Sequence, residues 1–108
     1  MTKSEDRAIQ IKALASEPRL TILRLLAEPK KHFGHQRSAD PAEFGVCMTL
    51  IAEALGVAQP TASRHLDILR QAQFIVVRRH LKWSYCQRDD RRIQDHLDWL
   101  AGELRPVR

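Results

Sequence analysis

Gln59, Thr61, Ser63 and Arg64 fall in one short stretch, and each side chain suits hydrogen bonding to nucleic acid. Arg64 can donate bidentately to guanine and Gln59 can pair with adenine, while Thr61 or Ser63 can reach a phosphate or a base. Such chemistry needs a scaffold that offers these groups to a DNA groove. The neighbouring chain reads as one: a short helix ending at Leu55, a turn at Gly56, and a second helix over residues 59–72. Ala62, Leu66 and Leu69 share a stripe with Ile51, Leu55 and Val57 of the preceding helix, so these six are expected in the core. The polar set is left near the N-terminal half, where the probe helix of a helix-turn-helix meets base edges. His65 lies beside the apolar stripe and is expected to pack or to face phosphate rather than to read a base. The plainer alternative is that some of these groups only solvate the helix.

The charge supports a polyanion partner. Residues 59–88 hold Arg64, Arg70, Arg78, Arg79, Lys82 and Arg88 against the single acid Asp67, which accounts for the whole net charge of +5. The rest of the chain sums to zero. Phe74 through Arg79 is β-rich and is answered by Trp83-Ser84-Tyr85-Cys86 across the turn His80-Leu81-Lys82, which predicts a hairpin. Its bases Arg78, Arg79, His80 and Lys82 suit backbone or minor-groove contact, although hairpin arginines also pair with nearby acids.

At 108 residues and 44% apolar, the chain is expected to form one domain with a core that needs neither disulfide nor metal. Its apolar runs are too short for a membrane span, and Met1 through Asp6 lacks the apolar stretch of a secretory signal, so the cytoplasm is expected. No nucleophile–base pairing, phosphate loop or metal cluster is visible, and only 4 glycines are present to build tight loops. The sequence therefore predicts neither an enzyme nor a cofactor.

The remaining elements are mostly helical. Residues 4–15 carry a stripe of Ala8, Ile11, Leu14 and Ala15. Ser16 is placed to cap a helix over 17–27, with Pro18 in its first turn and Leu20, Leu23, Leu26 and Ala27 on its stripe, widened by Ile22 and Leu25. Residues 29–45 show no periodicity and read as a long polar loop, which in a compact domain usually means function or disorder. Val46-Cys47-Met48 reads as a short strand, with Thr49 capping a helix over 50–55. Residues 90–104 return to helix with Ile93, Leu97, Leu100, Ala101 and Leu104 on a stripe, and the tail from Arg105 to Arg108 is expected to fray. The fold class is mainly α with a small β-hairpin (α+β), a winged helix-turn-helix with helices added at both ends. A winged core needs only the middle helices, so the outer two, through Ile11, Leu97, Leu100, Leu104 and the off-stripe Trp99, are expected to meet a second copy of the chain. The alternative is that they only cover their own core.

Three motifs resemble the ArsR/SmtB family of small bacterial repressors over residues 8–104. They are Leu14-Ala15-Ser16-Glu17-Pro18-Arg19-Leu20, Gln59-Pro60-Thr61-Ala62-Ser63-Arg64-His65-Leu66 and Arg78-Arg79-His80-Leu81-Lys82-Trp83-Ser84-Tyr85. The resemblance implies a homodimer that binds an inverted repeat in double-stranded DNA and represses until a signal releases it. Two departures stand out. Ala58 replaces the usual Ser or Thr cap of the probe helix, and Gln73 replaces a usual glycine after it, so Gln73 must take that bend at some strain.

The resemblance identifies no inducer. Metalloid-sensing relatives often carry a Cys-x-Cys pair beside the third helix, where this chain has only Cys47. In a winged fold the strand of Cys47 commonly pairs with that of Cys86, which leaves a dithiol switch open beside the reading of both as inert small hydrophobes. His32 and His35, with Asp40 and Glu43 near, read as solvated loop rather than a metal site. His96 is similar in place to a ligand of zinc-sensing relatives, but Asp95, Asp98 and Glu103 do not complete that pattern, so no metal is expected. The competing function is a winged-helix module that docks an acidic protein through its basic face without reading DNA sequence.

Overall fold

Capping groups and prolines set most of the helix starts. In the computed structural model, which describes residues 3–107, α1 spans Lys3–Leu14 and α2 spans Glu17–Ala27. Met1, Thr2 and Arg108, which the leader and tail expectations touch, lie outside the described residues. Ser16 caps α2 through Oγ, which accepts from the Arg19 amide at 3.4 Å, and Pro18 sits in the first turn.

Residues 29–45 are not the unpatterned loop expected. They carry α3 (Pro29–Phe33) and α4 (Pro41–Phe44), each begun by a proline whose missing N–H costs nothing at the first helical position. The Asp40 carboxylate caps α4 by accepting from the Ala42 amide at 3.0 Å. Phe33 and Pro41 are buried and pin the segment to the body. Gln36 then ties it to the sheet: Nε2 donates to the carbonyls of Ala39 and Gly45, and Oε1 accepts from the Cys47 amide at 2.8 Å. Helices of five and four residues are too short to display a period.

The rest of the chain is β1 (Val46–Cys47), α5 (Met48–Leu55), α6 (Gln59–Gln71), β2 (Ile75–His80), β3 (Trp83–Arg88) and α7 (Asp90–Glu103). The sheet is antiparallel throughout with order β1-β3-β2: the expected short strand, ending at Cys47, pairs with the strand of Cys86 beside the expected hairpin. The hairpin turn is Leu81-Lys82, two residues rather than three, because His80 and Trp83 still pair across it. α5 starts at Met48, earlier than expected. Thr49 therefore lies inside its first turn and does not cap it; its hydroxyl instead meets the Cys47 Sγ at 3.2 Å.

Two left-handed residues steer the probe helix. Gly56 (φ 69) closes α5, with its amide on the Glu53 carbonyl and the Val57 amide on that of Ala52. Gln73 (φ 68) closes α6 the same way, its amide bonding Arg70 and that of Phe74 bonding Leu69. Gln73 thus takes the bend that its place in the sequence implied. Ala62, Leu66 and Leu69 are buried with Ile51, Ile22 and Phe74, while Leu55 and Val57 are half-buried at the edge of that core.

The outer helices turn only part of their stripes to the core: Leu14 and Ile93 pack against it, and the stripe residues expected to meet a second copy stay at the surface. On α1 the buried residues are Gln10 and Ala13, and Ala8, Ile11 and Ala15 are exposed. On α7 only His96 is buried; Leu97, Ala101 and Leu104 are exposed and Leu100 is half-buried. Leu20 and Ala27 of α2 are exposed too. His96 Nδ1 donates to the Gln10 Oε1 at 2.9 Å, and Gln10 Nε2 donates to the Ala72 carbonyl at 3.5 Å. Trp99 is half-buried rather than free, packed beside His96 and under the Arg7 guanidinium 4.9 Å from its ring centre.

Urea unfolding and the pH dependence of melting read these features directly. Gly56→Ala should cost about 1 kcal/mol by urea unfolding, although a Cβ there meets nothing within 4 Å, because the strain is in the backbone. Gln73→Gly should instead gain about 0.5 kcal/mol, since relief of left-handed strain exceeds the added chain entropy. Burial and then the Arg7 charge lower the pKa of His96 below its ordinary 6.5, opposed by Asp95. The unfolded chain thus takes up a proton that the folded one refuses, and stability present above pH 6.5 should be lost as pH falls. The double variant Gln10→Leu/His96→Leu should flatten that part of the melting-temperature profile; an unchanged slope would count against it.

Candidate nucleic-acid interface

The burial of Ala62, Leu66 and Leu69 turns the opposite side of α6 outward. Gln59, Thr61, Ser63 and Arg64 are all exposed, and among the described residues none of these side chains makes a hydrogen bond or ion pair. As the sequence implied, no side chain caps α6 at Ala58. The loss is softened locally. Pro60 has no N–H to satisfy, and the Thr61 amide turns back onto the Ala58 carbonyl at 3.1 Å.

Two concave flanks border this helix. On one, Thr61, Arg64, His65 and Ile68 face Arg19 across an open hollow. Arg19 is a residue sequence reasoning missed. Its Nε donates to the Ala13 carbonyl at 2.7 Å and its Nη2 to that of Lys12 at 3.1 Å, which satisfies the end of α1. Its Nη1 lies 3.1 Å from His65 Nδ1. A guanidinium can only donate, so Nδ1 accepts and the ring proton sits on Nε2. Burial, then the Arg19 and Arg64 charges, lower the His65 pKa, which favours the neutral ring that this contact requires. His65 is therefore half-buried and fixed in orientation, not a loose surface group. Nothing in the sequence flags Arg19, because its partners are two carbonyls and a ring supplied by tertiary packing.

On the other flank, Ser63, Asp67 and Arg70 face the sheet across a groove floored by Leu66, Val77 and Cys86. Asp67 is committed here: its carboxylate accepts from Arg70 at 2.7 Å and from Gln71 at 2.9 Å. Alternation along β2 puts Arg79 on the same face as Val77, and puts Arg78 and His80 on the other. Arg79 is exposed with no partner among the described residues. Lys82, at the turn, lies with Nζ 5.2 Å from the Trp83 ring centre. Arg78 points away from α6 and bonds the carbonyls of Glu43 and Phe44.

The two cysteines lie on paired strands but one step out of register, with Cys47 opposite Tyr85 and Cys86 opposite Val46. Alternation then sends their side chains to opposite faces of the sheet. Both are buried and free, and burial pushes the Cys86 thiol up to about 12, which keeps it protonated. His32 and His35 stay in and beside α3, where His32 packs its ring edge-on to Phe33.

This arrangement matches known proteins. Residues 47–75, which span α5, α6 and the start of β2, match the family model for bacterial regulatory proteins of the arsR family. An uncharacterized HTH-type transcriptional regulator of Bacillus subtilis, YbzH, is 40% identical over 93 residues, covering 86% of this chain and 93% of its own. A second such regulator, MJ1325 of Methanocaldococcus jannaschii, is 32% identical over 96% of this chain and all of its own length. A solution structure of a homodimeric winged helix-turn-helix DNA-binding domain from Mycobacterium bovis, a possible ArsR-family regulator, superposes with a TM-score of 0.64. It is 26% identical and covers 94% of this chain and 83% of its own. With its helix-turn-helix, its wing and these relatives in agreement, the chain belongs to the ArsR family of bacterial transcriptional regulators.

Proposed function

We propose that the chain works as a cytoplasmic homodimeric repressor that binds an inverted-repeat operator through α6 and the wing, and that it acts by binding rather than by catalysis. The observation that carries this reading is the uncommitted edge of α6. Gln59, Thr61, Ser63 and Arg64 are exposed beside Arg79 and Lys82, within the segment that holds the chain's entire net charge. Arg64 reads a base, most economically a guanine, while Gln59, Thr61 and Ser63 share base and phosphate contacts. His65, held by Arg19 with its Nε2 proton free, donates to a phosphate. The dimer is supported by the outward stripes of the terminal helices: Ile11 and Leu97 are each 47% exposed and Leu104 is 69% exposed. Half-buried Leu100 adjoins them on α7, and the partly exposed Trp99 lies off this stripe. A second copy related by a two-fold axis would cover both stripes and place two α6 helices one DNA turn apart.

Selection of bound fragments from the source genome, followed by footprinting, tests the reading. Affinity for the recovered duplex should fall steeply with salt yet keep a large ratio over mixed-sequence duplex. A protein-docking module would show no sequence preference at any salt. Arg64→Ala should weaken binding to the recovered duplex by about 1–3 kcal/mol and relax the preference at one base pair per half-site. Leu97→Asp with Leu104→Asp should shift the sedimentation mass from dimer to monomer. A monomeric wild type, or a dimer that survives both charges, would remove α7 from the interface.

A further inference from the structure

The stretch 29–45 lies outside the helix-turn-helix and the hairpin, yet hydrogen bonds tie it to the sheet at several points. Its last turn, α4, ends at Gly45, and a helix end leaves carbonyls without partners. The wing supplies those partners. Arg78 Nη2 donates to the carbonyls of Glu43 and Phe44 at 3.2 and 3.1 Å, and Gln87 Nε2 donates to that of Glu43 at 3.0 Å. The Arg78 guanidinium also lies over the Phe44 ring, 5.1 Å from its centre. Phe44 packs in turn on His80 and Tyr85 at 5.8 and 6.3 Å between ring centres. Arg78, His80, Tyr85 and Gln87 share one face of the sheet, the face turned away from α6. The approach is close as well as ordered. Gly45 passes so near β3 that a Cβ on it would sit 2.7 Å from the Cys86 carbonyl oxygen.

We infer that residues 40–45 are a buttress for the wing and that Arg78 is its clamp, a positioning residue rather than a DNA contact. This rests on the DNA-binding reading of α6 and the wing. For Arg78 to reach a phosphate, its side chain would have to leave the back face, abandon two carbonyls and uncover the Phe44 ring. Arg79, one residue on, already projects from the probe side with nothing to give up. The clamp fixes the angle at which β2 and β3 leave the body, and so decides whether Arg79 and Lys82 arrive at the backbone that α6 engages. Two-stranded ribbons are marginal on their own, which is why a brace on the back face matters to a wing.

The test uses full-length protein and a fluorescein-labelled mixed-sequence 30-base-pair duplex, with affinity followed against salt. Arg79→Ala should lower the salt slope by about one contact, near 0.9. Phe44→Ala carries no charge change, yet it should weaken binding about as much as Arg78→Ala, and the double variant should be no weaker than either single one. In both clamp variants the added Arg79→Ala should no longer change the slope. If Arg78 instead contacts DNA, Arg78→Ala will remove one contact from the slope, Phe44→Ala will be near neutral, and Arg79→Ala will keep its effect in every background. Those results overturn the clamp. Amide exchange of residues 76–86 in the free protein reads the same brace without DNA: it should quicken at least tenfold in Arg78→Ala and Phe44→Ala, and unchanged exchange also overturns the clamp. Failure of the wild type to bind any duplex would refute the DNA reading alone, with the exchange result still deciding the brace.

Discussion

The rotation of α6 about its own axis is the constraint on which the rest depends. Ala62, Leu66 and Leu69 are buried at spacings of four and three residues, and burial of the two leucines contributes about 1.5–3 kcal/mol each. Turning the helix by one residue would expose them and drive Ser63, Asp67 and Arg70 toward the core, where charged groups cost several kcal/mol to desolvate even when paired. The core thus decides which side chains the helix offers outward. Its ends are fixed with equal force. Gly56 sets the angle of entry, and Gln73 turns the chain so that Phe74 re-enters the core and β2 starts in a defined direction. Recognition edge and wing are two consequences of one packed helix.

That is why the helix-turn-helix was legible in the sequence. A 3.6-residue period, a glycine at the turn and polar residues on the complementary side all express a single burial decision, and Gln73 betrayed its strained bend by occupying a glycine's place. The inward contacts of the outer helices are less legible for a physical reason. An apolar stripe reports a face that avoids water, not which surface does the covering. On α1 and α7 the stripes are shared, Leu14 and Ile93 packing inward while Ile11, Leu97 and Leu104 stay exposed, and the fully buried positions include Gln10 and His96, which no hydrophobic pattern selects. Helices α3 and α4 escaped because a single turn has no period. Arg19 and Arg78 escaped because backbone carbonyls, their main partners, carry no sequence signature.

The polar character of the inward faces has its own logic. Gln10 and His96 are the buried polar residues among those described, and each would be costly without a partner. Gln10 accepts from both Arg7 and His96 and donates to the Ala72 carbonyl, so a single amide joins α1, α7 and the end of the probe helix. An apolar contact would tolerate sliding of one helix along another. This network is satisfied at one docking angle, with Phe74 edge-on to the His96 ring at 5.4 Å to complete it. The terminal helices are therefore held in register with α6 by geometry rather than by area.

The same separation of roles applies to charge. Six bases in residues 59–88 produce a strong local field, and a field acts whether or not its sources touch the ligand. Contact is a narrower matter. Arg70 is paired with Asp67, Arg88 reaches Asp90 and the Leu23 carbonyl, and Arg78 holds the carbonyls of Glu43 and Phe44. Of these six, Arg64, Arg79 and Lys82 have side chains with no hydrogen bond or ion pair among the described residues. Half of the basic excess thus builds the platform and half is left to use it. Arg78 still attracts a polyanion from beyond contact range, because bonding to neutral carbonyls leaves its charge intact, whereas Asp67 and Asp90 offset much of the field of Arg70 and Arg88. The net excess of bases in the sequence accordingly measures attraction, and the count of free ones in the fold measures grip.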